Sequence, residues 1–158
     1  MQGRELFLAK QAVIVMLIGL FGGFAWTFAL LEEVSLSPIP IVFADSFPGE
    51  PQNWRAVHTG CLMNGIMALA IAAAMPLFNP PEPAKKRVVI GVVFAIWANT
   101  IFYFANLMAP NRSLSLGENA LGGASLAGSI GYITALIGAV ALIYALFVLL
   151  MQGKGKSA

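Results

Sequence analysis

From Gln11 to Leu31 the chain carries no charged side chain, and the stretches 54–78, 88–109 and 125–151 come close to the same condition. A helix crossing hydrocarbon needs about 20 largely apolar residues, because its backbone polar groups must be bonded within the segment. All four stretches are long enough. The expected fold class is therefore an all-α integral membrane protein, a four-transmembrane-helix bundle forming a single membrane domain over residues 1–158. Composition agrees: 10% of residues are charged, where a soluble domain carries roughly 25%. The first stretch is too long, and too poorly followed by a small-residue cleavage site, for a signal peptide. Cys61 is the only cysteine, so no intrachain disulfide can form. A net charge of +2 is too small to argue for nucleic acid as a partner, and the basic residues are not clustered on a candidate binding face.

The joints are equally legible. Residues 32–53 hold Pro38, Pro40, Pro48 and Pro51 and read as a connector. Residues 79–87, NPPEPAKKR, read as a turn opened by proline. Residues 110–124, rich in Gly, Asn and Ser, are expected to form an ordered loop. Arg4, Lys10, Lys85, Lys86, Arg87, Lys154 and Lys156 fall on one side of this topology, against Arg55 and Arg112 on the other. The positive-inside rule then expects both termini and the middle turn in the cytoplasm. Five acidic residues, Glu32, Glu33, Asp45, Glu50 and Glu118, lie on the opposite side.

Polar groups within a bilayer are costly, so their distribution is the most informative pattern left. Helices one and four carry almost none. Gly19 and Gly23 form a GxxxG, and helix four has Gly128, Gly131 and Gly138 as a packing face, a pattern that serves oligomerisation or packing within one bundle. Helix two carries Trp54, Arg55, His58, Thr59, Cys61 and Asn64; helix three carries Trp97 and the i, i+4, i+7 stripe Asn99, Tyr103, Asn106. Counted inward from Trp54, His58 lies about 6 Å and Asn64 about 15 Å deep; from Ala109, Tyr103 lies about 9 Å and Asn99 about 15 Å deep. These four are expected to share a polar pocket between helices two and three. Asn99 and Asn106 also fit plain interhelical hydrogen bonding, and Arg55 fits a headgroup contact.

His58 is the only histidine and sits inside a span. It can be an imidazole bonded to a neighbouring helix, a proton relay or a metal ligand. A relay wants further titratable groups, and no Asp or Glu lies within any span. Zinc or non-haem iron wants about three protein ligands. Haem needs only one, since the porphyrin supplies four nitrogens. On residues alone, haem stands beside the hydrogen-bonded imidazole as an open alternative.

GEPQNWRAVHTG at 49–60, NG at 64–65, WANTIFYF at 97–104 and APNRSLSLGENALGG at 109–123 together resemble the membrane-bound styrene oxide isomerases. The resemblance covers about Phe43 to Gly123 and is carried by the order WRxxHxG, NG, WxNxxFYxxxNxxxPNR. It implies ferric haem b, a homotrimer with haem near subunit boundaries, and isomerisation of an aryl epoxide to an aldehyde by a Meinwald rearrangement. The axial ligand then falls on His58, and the substrate-orienting pair on Asn64 and Tyr103.

Trp97, Asn99, Phe102 and Phe104 are the expected pocket walls. Arg55 and Arg112, with Asn111 as a helper, are the expected propionate partners, phosphate contact being their other reading. The implied setting is the bacterial inner membrane, whose lipid concentrates a small apolar epoxide; an upstream epoxide-forming monooxygenase is the further partner such chemistry admits. A non-catalytic haem protein, as sensor or electron carrier, and a transport or structural subunit are the rival classes.

Overall fold

The computed structural model describes residues 3–43 and 47–152; Asp45, Lys154 and Lys156, three of the charges that bear on orientation, lie outside them. Four helices follow one another: α1 (Gly3–Leu31), α2 (Pro51–Phe78), α3 (Glu82–Asn106) and α4 (Leu126–Leu150). Each is long and apolar enough to cross a membrane, and the protein is a membrane protein. Between α1 and α2 a two-residue strand β1 (Val34–Ser35) pairs antiparallel with β2 (Val42–Phe43), Val34 opposite Phe43.

Several helix boundaries differ from the sequence expectation, α2 among them in starting at Pro51, and the larger shifts have physical reasons. Helix α1 begins at Gly3 rather than near Gln11. Its polar first turns are held by α3: Arg4 Nε lies 2.9 Å from Glu82 and Lys85 Nζ 2.9 Å from the buried Glu5. The turn expected over 79–87 is only three residues long, because α3 starts at Glu82 and takes in Lys85, Lys86 and Arg87. Pro83 sits in the first helical turn, where a missing N–H costs nothing. Asn79 closes α2 in the left-handed conformation, φ 43°, its N–H donating to Pro76. Helix α3 ends at Asn106, three residues early, as Leu107, Met108 and Ala109 donate to carbonyls three back ahead of Pro110. Ser125 caps α4 by accepting from Gly128 N at 2.9 Å.

Helix α1 lies mainly along α2, and α3 along α4, with α3 also touching α1 and α2. Glycines bring both pairs together. A β-carbon at Gly19 would stand 3.0 Å from Leu62 N, and one at Gly138 would stand 2.9 Å from Ala98 Cβ. The Gly19/Gly23 pair therefore packs within the chain. Val15, Val57, Cys61, Ala68, Val88, Val92 and Ile96 form the buried core, while Phe21, Phe24, Ile143 and Leu150 point outward.

Candidate functional site

The polar side chains of α2 leave it on two different faces. His58 turns to α1. Its Nδ1 is 2.8 Å from the Gly19 carbonyl, an atom that can only accept, so Nδ1 carries the proton and the neutral ring keeps its lone pair on Nε2. Among the described residues Nε2 has no hydrogen-bond partner. The ring is admitted because α1 has no side chain there: a β-carbon at Gly23 would stand 2.7 Å from Nδ1. Trp26 packs on the imidazole with ring centroids 5.9 Å apart, and the guanidinium of Arg55, about one turn before His58, lies over the Trp26 ring at 5.9 Å from its centroid.

Asn64 turns instead to α3. Its Nδ2 donates to the Gly60 carbonyl at 2.8 Å and to the Tyr103 hydroxyl at 3.1 Å, while Asn99 Nδ2 donates to Asn64 Oδ1 at 2.9 Å. The Tyr103 ring lies flat against Gly60, filling the space a β-carbon would take. Asn64, Asn99 and Tyr103 are thus brought together as the spacing predicts. His58 is not part of that cluster within the chain, because residues 58 and 64 project from different sides of one helix. Asn106, the last member of the α3 stripe, meets Asn53 of α2, which donates to its carbonyl at 3.4 Å.

The remaining candidates scatter around these two centres. Phe102 packs on Tyr103 with centroids 5.3 Å apart, and Phe104 meets Trp54 edge-on at 6.4 Å. Trp97 and Phe104 line an apolar groove of about 480 Å³ between α3 and α4. The Trp97 indole donates to Gln11 Oε1 on α1 at 2.8 Å. Arg112 lines a polar cavity of about 390 Å³ with Glu50 and Asn53. Asn111 is fully buried, its amide spent on its own loop: Nδ2 donates to the carbonyls of Ser115 and Gly117, and Oδ1 accepts from Ser113 N. Sequence reasoning passed over Gly60, Trp26 and Gln11; the G two residues after the histidine in WRAVHTG was the available signal for the first.

The donor set can be tested against metals. No group of three His, Cys, Asp or Glu side chains able to hold an ion exists among the described residues. A single imidazole, oriented through Nδ1 and open at Nε2, fits a metal whose other ligands come from a macrocycle. Haem is therefore compatible with His58, and the glycine cradle at Gly19 and Gly23 is what fixes the ring in that pose.

The comparisons with known proteins converge. A styrene-oxide isomerase of Pseudomonas fluorescens is 36% identical over 77 residues, 48% of this chain and 44% of that protein, so the match spans under half of the relative's own length. The sequence model of the family described as styrene oxide isomerase matches residues 5–153, which takes in all four helices and both polar faces of α2. This chain belongs to the styrene oxide isomerase family.

Proposed function

We propose that the chain isomerises an aryl epoxide of the styrene oxide type to the corresponding aldehyde, of the phenylacetaldehyde type, with ferric haem b held on His58. The observation that carries this reading is the His58 ring itself, pinned through Nδ1 to Gly19 and open at Nε2, in a chain of this family. In the reaction the C–O bond at the aryl-bearing carbon opens and a hydride moves across from the neighbouring carbon. Substrate and product are isomers, so no oxidant, reductant or second substrate is consumed. When bound, the haem supplies a Lewis acid for the epoxide oxygen.

The protein's own residues do the rest. Tyr103, with Asn64 behind it, holds the epoxide oxygen in the pose that favours opening at the aryl-bearing carbon. Phe102, packed on Tyr103, and the apolar surface of α3 keep water from trapping that carbon as a diol. Arg55 and Arg112 are the cations available to haem propionates at the end of the bundle that holds the long loops; Asn111 serves by shaping the loop that presents Arg112. Replacing both arginines with Gln and finding haem occupancy unchanged would exclude that role. His58 is only half-buried, and apolar side chains such as Phe21 and Phe24 face outward from α1, which suits a homotrimer that completes the site. We take the chain to lie in the bacterial inner membrane with termini and α2–α3 turn in the cytoplasm; Arg4, Lys10, Lys85, Lys86 and Arg87 gathered at one end support that orientation.

The test is an absorption spectrum of the detergent-purified protein, alone and with styrene oxide, beside His58→Ala. A Soret band that shifts with epoxide as aldehyde accumulates, and that His58→Ala lacks, is the expected result. A haem band indifferent to epoxide, with no aldehyde formed, would overturn the enzymatic reading in favour of a sensor or electron carrier.

A further inference from the structure

We infer that Asn99 is a positioning residue: together with the Gly60 carbonyl it fixes the direction of hydrogen bonding through Asn64, so that the Tyr103 hydroxyl proton is left free for the epoxide oxygen. This rests on the reading of Tyr103 as the group that holds that oxygen.

The polarity follows from one atom. The Gly60 backbone oxygen has no proton to give, so the Asn64 atom 2.8 Å away is the amide nitrogen. That nitrogen has two protons and no available lone pair. The Tyr103 oxygen, 3.1 Å from it, must therefore accept, and its own proton takes no part in the bond. The Asn64 carbonyl oxygen is turned the other way, and only a donor can satisfy it. Asn99 Nδ2 is that donor, at 2.9 Å. Gly138 on α4 leaves room beside Asn99, since a β-carbon there would stand 3.6 Å from Asn99 Oδ1.

Removing Asn99 changes what Asn64 will accept. Asn64 is 7% exposed, so its carbonyl oxygen, once orphaned, has little water to turn to. The donor nearest at hand is the Tyr103 phenol. A modest swing of the Asn64 amide lets Tyr103 donate to it, and the proton meant for the substrate is then committed inside the protein. In the wild type the Asn99 bond holds Oδ1 away and the Gly60 bond holds Nδ2 in place. Asn99 acts on the reaction only through this choice, touching neither the epoxide nor the iron ligand.

A double-mutant cycle tests it, using the haem-loaded protein and styrene oxide. Asn99→Leu is expected to lower kcat about tenfold, the scale one neutral hydrogen bond controls, at unchanged haem occupancy. In a Tyr103→Phe background the same change is expected to cost about twofold or less, because the proton it protects is already gone. A tenfold loss in both backgrounds would mean Asn99 acts as general packing and would overturn the inference, as would wild-type kcat in Asn99→Leu. If Tyr103→Phe alone keeps full activity, the assignment of Tyr103 fails instead, which is a separate result. Asn99→Ala runs the same cycle if Asn99→Leu does not accumulate in folded form.

Discussion

Helix α2 has two polar faces, and they are built on opposite plans. Toward α1, Gly23 on the partner helix admits the His58 ring, one nitrogen is bonded to the Gly19 carbonyl, and the other is left open. Toward α3, a glycine on α2 itself admits the Tyr103 ring, and Asn64 has all of its amide groups engaged. A face with a free valence is suited to making a bond to something outside the chain. A saturated face is suited to holding one side chain in one pose. The two are separable because different glycines serve them, and that makes the comparison breakable one face at a time.

The largest effect is expected on the α3 face. Gly60→Ala puts a methyl where the Tyr103 ring now lies, and the ring must move by an ångström or so. Turnover of styrene oxide should fall about 100-fold, the scale of such a misplacement, while the haem spectrum stays intact. Wild-type turnover in Gly60→Ala would show that Tyr103 does not orient the substrate. Next comes the α1 face. Gly23→Ala places a methyl 2.7 Å from His58 Nδ1 and 2.9 Å from Cε1, breaking the bond to Gly19 that orients the ring. Haem affinity should drop about tenfold or more, as for loss of other ligand-orienting contacts. Haem titration into the apo protein reads this directly. Turnover per bound haem should be nearly unchanged, the reverse of the Gly60→Ala result. Equal haem losses in both variants would dissolve the distinction between the faces.

Much of this was legible before the structure. Four charge-poor stretches dictated four helices, and the stripe Asn99, Tyr103 at matched depth with Asn64 dictated a shared cluster. What depth counting could not supply was azimuth. His58 and Asn64 lie at compatible depths yet point to different neighbours, since rotation about α2 depends on which helix packs where. The helix boundaries slipped for a similar reason. Hydropathy registers Arg4, Glu5 and Lys85 as charges to be kept outside a span, but it is blind to their pairing across α1 and α3, which lets both helices run on. Glycine is the other blind spot, because a missing side chain shows its purpose only when the group that fills the space is known.

A smaller effect is expected at the loop that joins α3 to α4. Asn111→Ala leaves the Ser115 carbonyl and the Ser113 N–H without their partner at a fully buried position, and the Gly117 carbonyl with the Ser115 hydroxyl as its remaining donor. Stability should fall by about 1–2 kcal/mol. Thermal unfolding in detergent measures it, and turnover at low temperature should change little. The contrast with Gly60→Ala is the point: one substitution weakens the frame while the other disturbs the site.

The smallest effect concerns Trp97, and it decides between two roles. The sequence reading makes Trp97 a wall of the substrate pocket, whereas its indole bonds Gln11 on α1 and its ring faces the groove between α3 and α4. That is a different side of α3 from Asn99 and Tyr103, which lie about 160° and about 120° around the helix from Trp97. Trp97→Phe keeps an aromatic ring in the groove while removing the N–H and part of the ring volume. If Trp97 is a strut between α1 and α3, the variant should lose about 0.6 kcal/mol of stability, typical of a hydrogen bond between membrane helices, with kcat and KM for styrene oxide unaltered. If instead it bounds the epoxide, KM should rise while thermal stability holds. Measuring both on one preparation separates the cases, and a KM change would mean that the α3–α4 groove, as well as the Asn64 face of α2, belongs to the path the substrate takes.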